Sequence, residues 1–308
     1  IDNEQLRFDI QLENPEYTRL YLGFESTPEE RIFGFGEQFT YFDMKGRRLP
    51  IFVMEQGIGR GVQPITVGAN LTAKAGGDWH TSYAGVPFFM TSRMRSMFLE
   101  NYEYSEFDMR KDNAIRIEVF SSRMTGRILS GNTPLDLIEI YTRYAGRMQP
   151  LPGWTQEGAI LGLQGGTKIV RDALTEAKGA HLPIAAVWLQ DWVGQRTTNF
   201  GKQLWWNWEL DRERYPEWEH LISILKEDGI RTMLYVNPFL ADISGRITNR
   251  QNLFDIAKRN GYLIKKADGS DYLILNTDFS AGLLDLTNPA ARVWIKKIIN
   301  DNIISAGA

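Results

Sequence analysis

Apolar and polar residues alternate with a period of two along the first half of the chain. The alternation is clearest in three stretches, whose apolar members are Leu6, Phe8, Ile10 and Leu12, then Leu20, Leu22 and Phe24, and then Ile115, Ile117 and Val119. A period of two places one face of a strand in a core and the other in water, as in antiparallel sheets. Glycine-rich stretches at 57–61 and 76–78 interrupt these runs, as is typical of tight turns. The pattern predicts an antiparallel β-sandwich over residues 1–147.

The hydrophobic period changes near residue 134. Thr133-Pro134 has the residue types of a helix N-cap and first helical position, Gly146 is typical of a helix end, and the apolar residues between them follow helical spacing. The stiff segment 149–153, Gln-Pro-Leu-Pro-Gly, comes next. We therefore predict a domain boundary here, with residues 1–147 as the sandwich and residues 148–308 as a second domain.

Strand and helix patterns alternate beyond this boundary. Three runs are apolar on both faces, as in parallel strands covered by helices, at 158–164, 183–190 and 230–236. The alternation predicts an α/β architecture, either the first part of a (β/α)8 barrel or a doubly wound sheet. A fourth run, 283–286, is either another barrel strand or a short excursion. Because three or four strands cannot close a barrel, we expect a longer protein to complete it.

The predicted helices of the second half have boundaries of characteristic residue types. One helix opens at Pro216 and ends at Gly229, a second ends at Gly261, and a third begins after Asn288. Proline suits the first helical turn, glycine suits the residue after the last turn, and asparagine is a favoured N-cap.

The composition excludes several classes of protein. The chain has 308 residues, no cysteine, and 35 Lys and Arg residues against 38 Asp and Glu residues, a net charge of −3. This balance gives no reason to expect nucleic acid or an anionic membrane as a partner, and no apolar run is long enough to span a bilayer. The absence of cysteine excludes disulfides and cysteine metal sites, and it favours a reducing compartment such as the cytoplasm, with the periplasm as the alternative. Both a monomer and a homo-oligomer are compatible with the sequence.

Polar residues follow the three predicted parallel strands, at the ends where barrel enzymes carry their chemistry. Gln164 ends the first strand, Gln190, Asp191 and Trp192 end the second, and Asn237 ends the third. Amides and a carboxylate beside aromatic rings suit a polyhydroxylated ligand, because sugar hydroxyls need donors and acceptors while sugar C–H faces need apolar surface. Each amide alone is equally well explained as a satisfied polar group at the rim of the sheet.

Tryptophan is concentrated in the long connection after the second strand. Five of the nine tryptophans lie there or just after it, namely Trp192, Trp205, Trp206, Trp208 and Trp218. Trp206 and Trp208 face the same way in an extended chain, so they are candidates for a sugar platform. The alternative is a hydrophobic cluster that holds the loop in place. Loops of this length inside compact domains are usually functional.

Other catalytic and cofactor signals are missing from the sequence. His80, His181 and His220 lack metal-ligand spacing, and the glycine-rich segments match neither a P-loop nor a dinucleotide fingerprint. Asp191 and Asp285 are single acids that do not form the carboxylate pair of a glycosidase. We predict neither a metal nor a cofactor.

Six motifs in a fixed order resemble glycoside hydrolase family 31, and within it the bacterial sulfoquinovosidase branch. They are 33–39 (FGFGEQF), 55–57 (EQG), 158–166 (GAILGLQGG), 188–192 (WLQDW), 200–208 (FGKQLWWNW) and 285–289 (DLTNP). The resemblance runs from about residue 30 to the end of the chain. It implies an N-terminal β-sandwich, a (β/α)8 barrel and retaining α-glycosidase chemistry with two catalytic Asp residues. Both Asp residues are expected beyond Ala308.

The resemblance also implies substrate-binding positions. Gln164 and Gln190 match two glutamines of the sugar site, and Trp206 matches the tryptophan of the sulfonate pocket. The arginine of that pocket falls at Gln203, and a neutral amide cannot supply a charge-assisted bond to a sulfonate. Arg196, in the same loop, is the candidate replacement.

A loop of the N-terminal domain is also implied to reach the mouth of the active site. In this chain the matching stretch contains Glu55, Gln56 and Arg60.

Three hypotheses follow from the whole pattern, namely a sulfoquinovosidase-like retaining α-glycosidase, an α-glucosidase that acts on neutral sugars, and a non-catalytic carbohydrate-binding protein on a degenerate barrel. An Asp on the strand after Ala308 would distinguish the enzymes from the binding protein.

Overall fold

The computed structural model describes residues 5–14, 16–54, 57–73, 75–199, 201–246, 250–276 and 278–308. Within it the chain divides into two compact units, Ile1–Gln149 and Pro150–Ala308. Each unit has its own hydrophobic core.

Unit 1 is built almost entirely of antiparallel strands. Its elements are β1 (Gln5–Gln11), β2 (Leu20–Glu25), β3 (Ile32–Gly36), β4 (Arg48–Ile51), β5 (Ile58–Arg60), α1 (Pro64–Ala73), β6 (Gly76–Gly77), β7 (Gly85–Thr91), β8 (Arg95–Leu99), β9 (Ser105–Asp108), β10 (Ala114–Val119), β11 (Arg123–Ser130) and α2 (Pro134–Ala145). A five-stranded sheet, β1-β11-β8-β7-β3, and a four-stranded sheet, β2-β10-β9-β4, form the body of the unit. All neighbours in both sheets are antiparallel, which confirms the predicted sandwich.

Successive residues of β7 serve different cores. Phe89 is buried in the core shared by the two sheets, where its ring lies 5.9 Å from that of Phe107 on the opposite sheet. Phe88 points to the other face of its sheet and stacks on Tyr141 of α2, with ring centroids 4.2 Å apart. The period of two therefore gives the five-stranded sheet two apolar faces, and α2 covers the outer one.

Two parts of unit 1 differ from what the residue pattern indicates. Leu6 and Ile10 alternate as expected of a strand, yet they are 43% and 39% exposed, because β1 lies at the edge of its sheet. Helix α1 was not predicted. It contains several β-branched residues, which favour strands, and it forms between the short paired strands β5 and β6.

Helix α2 begins and ends where the sequence predicts. The Thr133 hydroxyl accepts a hydrogen bond from the Asp136 backbone N–H at 3.2 Å, and the Asp136 carboxylate accepts one from the Thr133 N–H at 2.8 Å. This reciprocal capping box satisfies two N–H groups that the helix cannot satisfy internally. Gly146 follows the last helical residue with a φ of 84°, which glycine adopts without a steric penalty.

Unit 2 contains a short 3₁₀ helix (Gly153–Gln156) followed by alternating strands and helices. The elements are β12 (Ala159–Leu163), α3 (Thr167–Gly179), β13 (Ile184–Leu189), β14 (Gln195–Thr198), β15 (Gly201–Leu204), α4 (Trp218–Glu227), β16 (Arg231–Leu234), β17 (Phe239–Ala241), α5 (Leu253–Arg259), β18 (Leu273–Asn276), β19 (Phe279–Leu283) and α6 (Pro289–Ile299), then a π-helical turn (Asn300–Ile304). Strands β12, β13 and β16 form a parallel sheet in chain order. Neighbouring order without reversal is the arrangement of a barrel, whereas a doubly wound sheet reverses its strand order.

The two faces of the parallel sheet differ in burial. Leu163, Leu189 and Leu234 lie in register on one face and belong to the core of the unit. Trp188 and Met233 are paired on the other face and remain 39% and 38% exposed. In a closed barrel the second face is the interior, which side chains fill in layers.

The structure corrects one predicted boundary in unit 2 and decides between the two alternatives for the run 283–286. Helix α4 begins at Trp218 and not at Pro216, because Glu217 adopts a left-handed conformation with φ of 56°. The ambiguous run 283–286 does not add a barrel strand. Strand β19 ends at Leu283 and pairs antiparallel with β17 and β18 in a separate three-stranded sheet, so this segment is an excursion. In the described part of the chain, no helix is both long and apolar enough to cross a bilayer.

Helix α2 offers a matched test of its packing on the sandwich. Leu137 is fully buried against the outer face of the five-stranded sheet, whereas Leu135 on the same helix is 74% exposed. We expect Leu137→Ala to lower the free energy of unfolding by about 2–5 kcal/mol, and Leu135→Ala to change it by less than about 0.5 kcal/mol. Urea denaturation of the three proteins measures both values. Similar losses in the two variants would contradict the assigned packing.

Candidate active site

The carboxyl ends of the parallel strands bring two predicted site residues together. Gln164 follows β12 and Gln190 follows β13, and the Gln164 Nε2 donates a hydrogen bond to the Gln190 Oε1 at 3.2 Å. Neighbouring parallel strands end at the same edge of a sheet, so the contact follows from the topology. Gln164 is exposed and Gln190 is half-buried.

Two residues that the sequence did not single out extend this contact. Gln195, at the start of β14, donates its Nε2 to the Gln164 Oε1 at 2.9 Å. Arg214 donates its Nη2 to the Gln195 Oε1 at 2.9 Å. Gln195 could have been noticed as a third amide close to the second strand end. Nothing in the sequence marks Arg214, because it lies in a long loop that only the fold returns to the strand ends.

Asp191 is a buried support for this group of side chains. Its carboxylate has no exposed surface, and it accepts hydrogen bonds from the Gly165 backbone N–H at 2.9 Å, from the Arg214 guanidinium and from the Tyr215 hydroxyl. Burial, followed by the hydrogen bond to Asp191, raises the pKa of Tyr215, so the phenol stays protonated and donates. This geometry corrects the prediction of a direct sugar contact for Asp191, because its oxygens are already engaged by the protein.

A tight turn allows the Arg214 loop to approach the first strand end. Gly166 precedes α3 with a φ of 92°, and a Cβ on this residue would lie 2.2 Å from the Arg214 carbonyl oxygen. Only glycine fits both the backbone conformation and the close approach. The same loop is fixed by Asp211, whose carboxylate accepts from the Arg246 guanidinium at 2.8 Å and from the Arg214 backbone N–H at 3.1 Å.

The tryptophans of the loop mostly belong to the core. Trp192 and Trp208 have no exposed surface, and their indole N–H groups donate to the backbone carbonyls of Tyr235 and Phe239 at 2.8 and 3.1 Å. Trp192 is therefore corrected from a sugar contact to a packing residue, and a shared platform of Trp206 and Trp208 does not form. Trp206 remains half-buried.

Arg196 lies in an aromatic cluster on the β14–β15 hairpin. Its guanidinium carbon is 4.0 Å from the ring centroid of Trp205 and 4.0 Å from that of Phe279. Its Nε and Nη2 are buried, and within the described residues neither has a hydrogen-bond partner. Burial lowers the pKa of Arg196 to about 10, although the nearby Asp278 and Asp242 oppose this shift. The side chain is therefore still a cation at neutral pH.

Gln203 and Trp206 lie next to this cation. Gln203 is the cross-strand partner of Arg196 in the hairpin, so the two side chains emerge on the same face. Trp206 packs edge-on against Phe279 at 5.4 Å and stacks on Phe239 at 5.2 Å. Phe279 thus contacts both Arg196 and Trp206. Lys202 pairs with Thr197 and faces the other side.

The predicted mouth loop belongs to unit 1. Glu55 and Gln56 lie outside the described residues. Arg60 donates to the backbone carbonyl of Thr81 at 2.7 Å and lies over the ring of Phe39 at 4.5 Å. The contribution of this loop to an active site stays a prediction. In the ranges that the structure covers, His, Asp and Glu side chains form no group of three that could hold a metal ion.

Comparison with known families identifies the second unit. Residues 158–308 match the glycosyl hydrolases family 31 TIM-barrel domain. This part of the chain belongs to glycosyl hydrolase family 31, and the match confirms both the predicted barrel class and the resemblance on which it was based.

Individual relatives extend the similarity to the first unit. The chain is 34% identical to a sulfoquinovosidase of Escherichia coli strain K12 over 99% of its own length and 44% of the relative. It is also 34% identical to a sulfoquinovosidase of Agrobacterium fabrum over 94% of the chain and 43% of the relative. A solved family 31 sulfoquinovosidase from E. rectale, in complex with an aza-sugar inhibitor, superposes with a TM-score of 0.91 at 33% identity over all of this chain and 45% of that one. The chain thus spans less than half the length of these relatives.

The buried ion pair gives a test of the support beneath the strand ends. Asp191→Asn removes the charge opposite Arg214, whose side chain is only 25% exposed. We expect a loss of about 3–5 kcal/mol in the free energy of unfolding, because a largely buried cation is left without its counter-ion. Asp172→Asn is the control, since Asp172 pairs with Lys168 on the exposed surface of α3 and such pairs contribute at most about 1 kcal/mol. Chemical denaturation measures the free energy of unfolding of both variants. The same small change in Asp191→Asn and Asp172→Asn would contradict the supporting role of Asp191.

Proposed function

We propose that the full-length protein containing this chain is a retaining α-glycosidase that hydrolyses sulfoquinovosides. The full-length protein is a gene product as long as the two sulfoquinovosidase relatives. Two relatives at 34% identity and one solved structure at 33% identity are sulfoquinovosidases, which supports the substrate class. The observation that carries the proposal is the position of Arg196, directly across the hairpin from Gln203.

Arg196 has the chemistry to replace the missing arginine at position 203. The Nε and Nη2 of a guanidinium form one planar fork, and in Arg196 both of these donors are buried without a protein partner among the described residues. A sulfonate carries three acceptor oxygens and a full negative charge, so it matches this fork in geometry and charge. Because buried donors are costly to leave unpaired, a site of this kind favours an anion over a hydroxyl.

The remaining side chains suit the rest of the sugar. Gln164 and Gln190 provide amide donors and acceptors at the strand ends, and Trp206 provides an aromatic surface beside Phe279. Retaining glycosidases cleave with two carboxylates that lie about 5 Å apart, one as nucleophile and one as acid and base. The residues assigned here act in recognition of the sugar.

A neutral α-glucoside is the second candidate substrate, and Gln203 is the observation that favours it. An amide in the sulfonate-binding position can donate to a sugar hydroxyl without a charge. In that case Arg196 serves only to pack the aromatic cluster between Trp205 and Phe279, where the cation–π contacts stabilise it. The two candidates differ in what removal of the Arg196 charge does to substrate preference.

Paired substrates test this difference in the full-length protein. We expect Arg196→Met to lower kcat/KM for an aryl α-sulfoquinovoside by about 10- to 150-fold, because a charge-assisted bond contributes about 1.5–3 kcal/mol. The same variant should leave kcat/KM for the matching aryl α-glucoside within about threefold, because a neutral hydroxyl can bond the Gln203 amide, which the variant keeps. Steady-state kinetics with both substrates gives the ratio directly.

Lys202→Met is the matched control, because it removes a cation from the same hairpin on its opposite face. It should leave both substrates unaffected. Gln203→Arg should partly restore sulfoquinovoside hydrolysis when it is combined with Arg196→Met. A wild-type protein that prefers the glucoside, and whose preference does not respond to Arg196→Met, would establish the neutral substrate instead.

A further inference from the structure

We propose that Arg214 and Gln195 are positioning residues that set the polarity of a chain of amides ending at Gln190. The chain runs from Arg214 to Gln195, Gln164 and Gln190, and its effect is that Gln190 presents its NH₂ group to the substrate as a hydrogen-bond donor. This inference rests on the proposed function, because it concerns the same sugar-binding site.

The polarity begins at Arg214. A guanidinium has five N–H donors and no acceptor, so any group bonded to it must turn an oxygen towards it. The Arg214 Nη2 lies 2.9 Å from Gln195, and the Gln195 Oε1 must therefore be the atom that faces it. The two ends of a glutamine amide have the same shape, and only the partner decides which one points where.

Each following amide inherits its orientation from the one before. With its oxygen held by Arg214, Gln195 has only its Nε2 to offer, and this atom donates to the Gln164 Oε1 at 2.9 Å. Gln164 in turn donates its Nε2 to the Gln190 Oε1 at 3.2 Å. The reversed orientation of any one amide would place two donors or two acceptors against each other.

The chain ends on an amide that still has donors to give. No described residue accepts a hydrogen bond from the Gln190 Nε2, and the side chain is half-buried at the strand end. A sugar oxygen is the natural acceptor there. A glutamine free to turn would present its oxygen to the substrate as readily as its nitrogen. The chain of amides therefore fixes which end of the Gln190 amide faces the substrate.

The first member of the chain is held independently of the substrate. Asp191 is fully buried, and one of its oxygens accepts a hydrogen bond from the Arg214 Nε and forms an ion pair with this guanidinium, while Tyr215 donates to its other oxygen. Arg214 therefore cannot turn away from Gln195 without leaving a buried carboxylate without its counter-charge, which is costly.

Gln195→Glu should reverse the polarity of the chain with almost no change in shape. A carboxylate accepts at both oxygens, so it can still receive the Arg214 donor, but it cannot donate to Gln164. Gln164 must then turn its Nε2 towards residue 195 and its oxygen towards Gln190. Gln190 must turn in response, and its oxygen then faces the substrate. Gln195→Met breaks the chain without adding a charge, so Gln164 and Gln190 are free to adopt either orientation.

Deoxy and fluoro sugars distinguish these states in the full-length protein. Fluorine accepts a hydrogen bond and never donates one, whereas a deoxy position does neither. We would measure by calorimetry the dissociation constants of thio-α-glycosides, which resist hydrolysis, with fluorine or hydrogen in turn at C2, C3 and C4. For wild type, one position should bind the fluoro sugar about two- to tenfold more tightly than the deoxy sugar, as expected for a neutral hydrogen bond.

The variants should change this ratio in a defined order. At that position, the affinity for the fluoro sugar divided by that for the deoxy sugar should fall to about one in Gln195→Met. It should fall below one in Gln195→Glu, because the Gln190 oxygen, an acceptor, then faces fluorine. Arg214→Lys keeps a donor at the start of the chain and should keep the wild-type ratio. Gln190→Ala, which removes the last amide, should abolish the preference. Thermal unfolding of each variant separates these effects from a loss of folded protein.

The outcomes also separate this inference from the proposed function. A wild-type ratio of one at every position, or a ratio that Gln195→Met leaves unchanged in a folded protein, would overturn the assigned polarity. Hydrolysis of the corresponding oxygen-linked glycosides by wild type tests the proposed function separately. If the enzyme is active but Gln195→Met leaves its ratio of fluoro to deoxy sugar affinity unchanged, only the positioning role of Gln195 and Arg214 is refuted.

Discussion

The burial of the Asp191 carboxylate is the constraint on which the strand ends of the second unit depend. A fully desolvated carboxylate is tolerated only when hydrogen bonds and a counter-charge replace the lost water. Here the replacements come from the Gly165 N–H in the turn after β12, and from Arg214 and Tyr215 in the long loop before α4. One side chain therefore ties together three segments that are distant in sequence, and each must take its observed path for the Asp191 oxygens to be bonded.

The same ion pair connects folding to recognition. Arg214 bonds Asp191 with one part of its guanidinium and Gln195 with another, so the group that neutralises the buried charge also orients the exposed amides. Under the proposed function, the stability of the unit and its preference among sugar oxygens share a residue. Such a site can be preorganised before the ligand arrives, which lowers the cost of binding.

In the β14–β15 hairpin, strand pairing also decides where a charge lies, because it brings Arg196 to the same face as Gln203. Residues directly opposite in an antiparallel pair lie on the same face, with Cβ atoms about 4.5–5.5 Å apart. Arg196 and Gln203 are such a pair. Under the proposed function, the cation that binds the sulfonate can therefore be carried by either strand of the hairpin.

Local patterns in the sequence were sufficient to predict a β-sandwich followed by an α/β unit, the capped helix α2 and the three parallel strands with polar residues at their ends. These features depend on period, on capping residues and on the rule that parallel strands end together, and all of them act over short stretches or simple topology. The choice of a barrel over a doubly wound sheet came from the resemblance to a family. Only the tertiary structure decided that Asp191, Trp192 and Trp208 are buried and that Arg214 meets Gln195. It also decided that the run 283–286 leaves the barrel. Burial and long-range partners depend on how a loop returns to the sheet, and that path is set by the sum of many contacts that no short sequence window contains.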